Sequence, residues 1–281
     1  MKRILVPTDF STTAMKAISY AAEIAKKTDA TVFLLHVVDN VTDIIIEPLA
    51  FDVKEQDTLI KNSLKSLDDL KQTVISTYPD IKIEAGVITG RILFSILDYA
   101  EDYQPDLIVM GTTGAGAIKE LLIGSVASGI IGSTKIPVIT VPAGFEMKEP
   151  DSILFATNHF EENAGSLDMI TRLATLFSSA VHVVVYVDED EALEYIKGQN
   201  KLDHYLEYLK KTYPSIRFKA EVLEGRNFEQ TIESYDGKND IDLIAMITYP
   251  KKFIERLFKK SMTKKMAIHS TIPLLAIPVK A

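Results

Sequence analysis

The sequence predicts an α/β protein made of two tandem open sandwiches, each a parallel sheet with helices on both faces. Three observations lead there. The chain repeats itself, each copy alternates short β-branched runs with longer amphipathic stretches, and the short runs are apolar throughout, as strands buried on both faces must be. "RILVPTDFS" at 3–11 lines up with "SILFATNHF" at 152–160, and "FLLHVVD" at 33–39 with "HVVVYVD" at 182–188, both at an offset of 149. "TYPDIKIEAGVITGR" at 77–91 then matches "TYPSIRFKAEVLEGR" at 212–226 at an offset of 135. "DLIVM" at 106–110 matches "DLIAM" at 242–246, and "STKIPVITVP" at 133–142 matches "HSTIPLLAIP" at 269–278, at an offset of 136. The offset falls because the second copy lacks about fourteen residues after its second strand, where the first carries "NVTDIIIEPLAF". "AGFEMKEP" (143–150) reads as a linker, which divides the chain into domains at 1–143 and 151–281 joined by 144–150.

In the first copy the strands fall near 2–6, 31–37, 81–87, 106–110 and 137–141. Between the first two lies "STTAMKAISYAAEIAKK", with Ser11 as N-cap and apolar positions at 14, 17, 18, 21 and 25, the spacing of one helical face. "ILV", "TVFLLHVV" and "DLIVM" carry no polar alternation and so belong inside a sheet covered on both sides. The last strand of each copy, "VITVP" or "LLAIP", would leave an apolar sheet edge, which invites pairing.

The composition bounds the function. A chain of 281 residues with 47% hydrophobic content can build two ordinary cores. A net charge of -8 argues against bulk binding to nucleic acid or anionic membranes, which requires a basic surface. The start "MKRILVPTDFS" is too short in apolar residues for a signal peptide, and no run of about 18 apolar residues offers a membrane span. With no cysteine there are no disulfides, thiolate chemistry or cysteine-ligated metals, and a cytoplasmic location is expected. The five histidines lack metal-ligand spacing.

Chemistry is concentrated in "GTTGAGAIKELLIGS" (111–125), which follows an apolar strand with four glycines and a serine. Such a stretch is either a tight strand-to-helix turn or a backbone cradle for phosphate. Glycine lets amides approach an anion, and a helix N-terminus favours one by about 0.3–1 kcal/mol through its dipole, with hydrogen bonds added. Ser125 can cap the helix or bind the phosphate. In an open α/β sheet the ligand sits beyond the carboxyl ends of the strands, where "PTDFS" and "GTTGAGA" lie.

The spacing Gly111-x2-Gly114-x9-Gly124-Ser125 after a strand ending in Met110 resembles the nucleotide-binding signature of the universal stress protein family. "ILVPTDFS", "LLHV" and "IPVITVP" resemble it too, and the likeness covers the chain as a tandem, strong in 1–142 and degenerate in 151–281. The resemblance implies a Rossmann-like fold, similar to the adenine nucleotide alpha hydrolases, with strand order 3-2-1-4-5. It also implies that Pro7, Thr8 and Asp9 sit beside adenine and ribose, with Val37 against the base. Met110 and Gly111 would lie on the ribose side, and Gly114, Gly124, Ser125 and Val126 would hold the phosphates. The ligand implied is ATP, AMP or ADP, with Mg²⁺ for the triphosphate. Single-domain relatives commonly dimerise through the last strand, so the two copies are expected to form an intramolecular pseudo-dimer, with room for a homodimer and an unnamed protein partner.

The second copy loses the signature. Gly111 becomes Ile247, Gly114 becomes Pro250, Gly124 becomes Lys260 and Asp9 becomes Asn158; Ser125 survives as Ser261. Proline removes an N–H and the new side chains crowd the cradle, so the second copy is not expected to bind nucleotide in the same pose. "KKFIERLFKKSMTKK" (251–265) carries seven basic residues and one acidic residue; it reads as a solvated helix face, with an anion or partner contact by Lys259, Lys260 and Lys264 as the alternative. No P-loop, nucleophile elbow or zinc-protease motif is present. Thr112 and Thr113 could orient a terminal phosphate, but no general base or arginine finger accompanies them, and Lys119 reads as a surface residue. The expectation is a cytoplasmic stress-response protein that binds an adenine nucleotide in its first domain, the second being structural or regulatory. The competing readings are a slow ATPase at the same site and an interaction module with a vestigial one.

Overall fold

The computed structural model describes residues 1–39, 53–113, 124–189, 191–249 and 271–279. Gly114, Lys119, Pro250, Lys260, Ser261, His269 and the basic segment 251–265 lie outside the described residues, as do 40–51. The first copy runs β1 (Arg3–Pro7), α1 (Thr12–Thr28), β2 (Thr31–Asp39), α2 (Val53–Thr77), β3 (Lys82–Gly90), α3 (Ile92–Tyr103), β4 (Leu107–Gly111), α4 (Ser125–Ser133) and β5 (Val138–Val141). The second runs β6 (Ser152–Ala156), α5 (Ala164–Phe177), β7 (Ala180–Asp188), α6 (Ala192–Thr212), β8 (Arg217–Gly225), α7 (Phe228–Asn239), β9 (Leu243–Thr248) and β10 (Leu274–Pro278). All ten strands join one sheet in the order β3-β2-β1-β4-β5-β10-β9-β6-β7-β8. Each copy is parallel internally and has the order 3-2-1-4-5. The two last strands meet antiparallel, Ile139 opposite Leu275, so neither apolar edge faces water.

The local chemistry of the repeat is visible in its caps. The Ser11 hydroxyl accepts the Ala14 amide at 3.1 Å, which starts α1, and the five apolar positions read from the sequence are all buried. The helices after β1 and β6 end on left-handed residues at matching positions, Asp29 (φ 56°) and Ser178 (φ 58°). Those after β3 and β8 do likewise at Gln104 (φ 52°) and Asp240 (φ 48°).

A second shared device ties the entry of the first strand to that of the fourth. Asp106 Oδ2 accepts the Lys2 and Arg3 amides at 2.5 and 3.0 Å; Asp242 Oδ2 accepts the Asp151 and Ser152 amides at 2.8 and 2.9 Å. Burial alone would raise the Asp106 carboxyl. The Lys2 and Arg3 amides, with the N-terminal ammonium and the Arg3 guanidinium, outweigh that and hold it below the usual carboxylate range. Asp242 is 4% exposed and pairs with Lys148 of the linker.

Hydrophobic layers cover both faces of the sheet, and each runs through both copies. One contains Tyr20, Phe155 and Leu173, the other Leu5, Ile96, Leu154 and Ile232. The linker belongs to this packing. Phe145 is buried with its ring 5.8 Å from Tyr20, Glu149 pairs with Lys27 at 3.0 Å, and the Ser179 hydroxyl donates to the Pro150 carbonyl.

One buried group makes stability depend on pH. His182 is 1% exposed, with Nδ1 3.0 Å from the Tyr235 hydroxyl. Burial first, and the charge of Lys219 second, lower its pKa. The unfolded chain, with histidine at about 6.5, then takes up the proton first. The stability tied to neutral His182 is therefore complete above about pH 6.5 and is lost as pH falls toward the depressed folded value. The melting temperature should fall between about pH 7 and 5. His182→Phe, which installs the residue of the matching position 33, should flatten that slope; an unchanged slope would remove His182 as its cause.

Candidate functional site

The strand order reverses between β1 and β4, so the connections that leave their carboxyl ends diverge to opposite faces and open a cleft there. It encloses about 460 Å³. Every described residue expected at the site lines it: Pro7, Thr8 and Asp9 from the end of β1, Val37 from β2, Met110 and Gly111 from β4, and Gly124, Ser125 and Val126 at the start of α4. Gly114 lies outside the described residues. The wall includes further residues not singled out from the sequence: Ala14, Leu35, Ile92, Ile96 and Ala127. Ile92 and Ile96 are one helical turn apart on α3, and their spacing signals only an apolar face; which part of that face opens on the cleft follows from the sheet order.

The β1 loop is held by its own polar groups. Thr8 N–H donates to the Leu35 carbonyl at 2.9 Å, and the Thr8 hydroxyl accepts the Phe10 amide at 3.2 Å. His36 Nδ1 lies 2.8 Å from the Thr8 carbonyl, with its ring 4.5 Å from that of Phe10. Asp9 Oδ1 accepts the Ser11 amide at 3.1 Å, and the carboxylate is exposed at the rim. Across the cleft Thr112 and Thr113 are buried; Thr112 N–H donates to Val141, and the Thr113 hydroxyl lies 3.4 Å from that of Thr13.

The two described glycines of the motif differ in what requires them. A Cβ on Gly111 would stand 2.8 Å from Thr13 Cγ2 and 3.2 Å from the Thr13 backbone, so the N-terminal turn of α1 can approach β4 only because position 111 has no side chain. In the second copy, where Ile247 takes that position, the following-helix equivalent starts later: the offset of 149 would begin it at Glu161, and α5 begins at Ala164. Gly124 is otherwise. Its backbone is extended (φ -64°, ψ 154°), and an added Cβ would meet only ordinary contacts, the Thr112 oxygen at 3.4 Å. Among the described residues nothing in the backbone angles or the packing forbids a side chain there, and as an N-cap glycine leaves the helix end bare.

Gly124 is the N-cap of α4, so Ser125 is the first helical residue and its side chain does not cap. The first intrahelical bond is Ser128 N–H to the Gly124 carbonyl at 3.1 Å. The amides of Ser125, Val126 and Ala127 thus belong to the turn that an α-helix leaves without internal acceptors. They sit at the positive end of the helix dipole, beside a bare N-cap, at the wall of the cleft. Opposite lies an apolar slot formed by Val37, Ile92, Ile96 and Met110. An elongated ligand with a flat apolar end and an anionic end matches this arrangement. Among the described residues no group of three acidic, histidine or cysteine side chains forms a metal cage. No helix among them is long and apolar enough to cross a membrane.

Comparison with known proteins gives concordant results. The sequence model of the universal stress protein family matches residues 1–142. A universal stress protein of Methanocaldococcus jannaschii is 33% identical over 141 residues, which cover 50% of this chain and 81% of that protein. One from a Synechocystis strain is similar along the whole tandem, 24% identical over 292 residues and covering 98% of this chain and 99% of its own. Among solved structures, a universal stress protein from Archaeoglobus fulgidus superposes with a TM-score of 0.71 at 17% identity, over 98% of both chains, a likeness of fold.

Proposed function

Because the chain belongs to the universal stress protein family, we propose that its N-terminal domain (1–143) binds an adenine nucleotide in the cleft between β1 and β4. The C-terminal domain (151–281) serves as its structural or regulatory partner without binding nucleotide in that pose. The observation that carries this reading is a bare glycine N-cap, Gly124, at a helix N-terminus on the wall of a cleft that Val37, Ile92, Ile96 and Met110 also line. The slot formed by Val37, Ile92, Ile96 and Met110 takes the base, with Pro7 and Thr8 at its edge. The Asp9 carboxylate is an acceptor for ribose hydroxyls, and Gly111 keeps the backbone low on that side. The amides of Ser125, Val126 and Ala127, with the Ser125 hydroxyl, receive the phosphates. Gly114 belongs to the same motif. Magnesium bound with a triphosphate would be held by the phosphate oxygens and water, and would supply charge neutralisation there.

We read the cleft as a binding site: among the described residues its titratable lining groups are Asp9 and His36, the latter with Nδ1 2.8 Å from the Thr8 carbonyl. Mass spectrometry of the ligand retained through purification identifies the nucleotide. Calorimetry with ATP is expected to give one site per chain, lost in Asp9→Ala and in variants of residues 124–125. Two equivalent sites, or none, would refute the assignment.

A further inference from the structure

The two copies set different side chains at one point of the fold. Val37 pairs across the sheet with Ile88, and Tyr186 with Leu223; the neighbouring pairs Pro7–Leu35 and Ala156–Val184 match in the same way. Val37 and Tyr186 are therefore equivalent in structure as well as in the repeat. In the first copy Val37 borders the open cleft with Ile92 and Ile96, the first and fifth residues of α3. In the second, the first and fifth residues of α7 are Phe228 and Ile232, both buried. The Tyr186 ring is 8% exposed and meets the Phe228 ring edge to face at 5.4 Å. Its hydroxyl donates to the Gly225 carbonyl at 2.7 Å and lies 3.0 Å from Asp188 Oδ1. Gly90 and Asp39 hold the matching positions in the first copy.

The loop above has changed in step. Asp9 Oδ1 accepts the Ser11 amide of its own loop, whereas its counterpart Asn158, likewise exposed, bonds to the next strand: Nδ2 donates to the Tyr186 carbonyl at 3.3 Å and Oδ1 accepts the Tyr186 amide at 3.4 Å. Tyr186 thus sets a ring beside the start of α7 where the first copy has only the smaller Val37 beside the start of α3. We infer that Tyr186 is a built-in ligand. Its ring fills, in the C-terminal domain, the slot that in the N-terminal domain takes the base, and its hydroxyl satisfies the strand-end acceptors that a rim donor on a bound ring would reach. This rests on the nucleotide reading of the first cleft. The consequence is that the C-terminal domain is held permanently in a filled state, while the N-terminal domain reaches the corresponding state only with its ligand. The ligand class such a slot accepts is a flat aromatic ring with a hydrogen-bond donor on its rim.

The test is chemical rescue in the full chain. Tyr186→Ala should lower the melting temperature by several degrees, and 4-methylphenol, the fragment removed, should restore part of it saturably. Toluene, which lacks the donor, should restore less, and neither should shift the unaltered protein in the same range. Equal response of variant and unaltered chain, or no rescue of a folded variant, would overturn the inference. The reciprocal graft, Val37→Tyr with Ile92→Phe, covers the case in which Tyr186→Ala does not fold. It should raise the melting temperature of the ligand-free protein and remove its response to ATP; a retained ATP response would overturn the inference. The rescue arm involves no nucleotide, so an unaltered protein that ignores ATP would refute the proposed function while 4-methylphenol still decided the role of Tyr186.

Discussion

Gly124→Val is expected to abolish measurable ATP binding while leaving the protein folded, and Gly111→Ala to lower stability. A valine at 124 projects its branches from a bare N-cap into the path of the phosphates. Two lost charge-assisted hydrogen bonds at roughly 1.5–3 kcal/mol each weaken binding by at least about a hundredfold, enough to carry a micromolar complex toward millimolar. The fold loses little, because among the described residues the added Cβ meets the Thr112 oxygen at 3.4 Å and Thr113 Cα at 4.0 Å, both ordinary contacts. The poorer N-cap costs about 1 kcal/mol. Gly111→Ala instead forces a carbon to within 2.8 Å of Thr13 Cγ2. Overpacking of that kind typically costs about 1–3 kcal/mol, felt as lowered stability. Calorimetry and urea unfolding of the two variants separate these effects. Unaltered affinity in folded Gly124→Val would mean that residues 111–125 are only a turn.

Asp242→Ala should destabilise the protein markedly. The carboxylate is buried, and its loss strands the Asp151 and Ser152 amides at the mouth of β6. A fully buried unsatisfied donor costs about 1–3 kcal/mol, so two would cost about 2–6 kcal/mol; these amides are part-buried, which places the loss toward the lower end of that range, still a sizeable part of the usual margin of about 5–15 kcal/mol. Lys148 adds little, since its ammonium is 59% exposed and returns to water. Asp106→Ala removes the same pattern at the surface and should cost less, because water can replace the lost acceptor. Denaturant midpoints for the two variants give the comparison; equal losses would mean that burial does not set the cost.

The fold was legible because repetition supplied two readings of one pattern. A short apolar run such as "DLIVM" is ambiguous by itself, but its return as "DLIAM" at the matching place marks a strand. The order 3-2-1-4-5 came from family likeness, since periodicity says which face is buried and nothing about which strands are neighbours. The candidate cleft was legible where missing side chains mark it, at Gly111 and Gly124, and at the strand-end Asp9, all of which line it. Ile92 and Ile96 were not, because an apolar helix position looks the same against a core as against a cleft. Tyr186 could be aligned with Val37 by counting, but whether a larger ring opens or fills a slot depends on where the side chain turns. The linker was found by its Gly and Pro; its burial through Phe145 and its tie to Asp242 depend on contacts far apart in sequence.

The seam between β5 and β10 carries one more consequence. Where two identical chains meet about a twofold axis, any change at the junction occurs twice, so each substitution must suit both sides at once. Here the junction is made by two different segments of one chain, and its facing pairs are unlike: Val138 with Ala276, Ile139 with Leu275, Thr140 with Leu274. Thr140 is 1% exposed, and its hydroxyl has no hydrogen-bond partner among the described residues. Doubled by symmetry, that orphan hydroxyl would exact its desolvation penalty twice. Covalent fusion exacts it once and lets each half vary independently, so matching positions can carry different residues, Gly111 against Ile247 and Val37 against Tyr186.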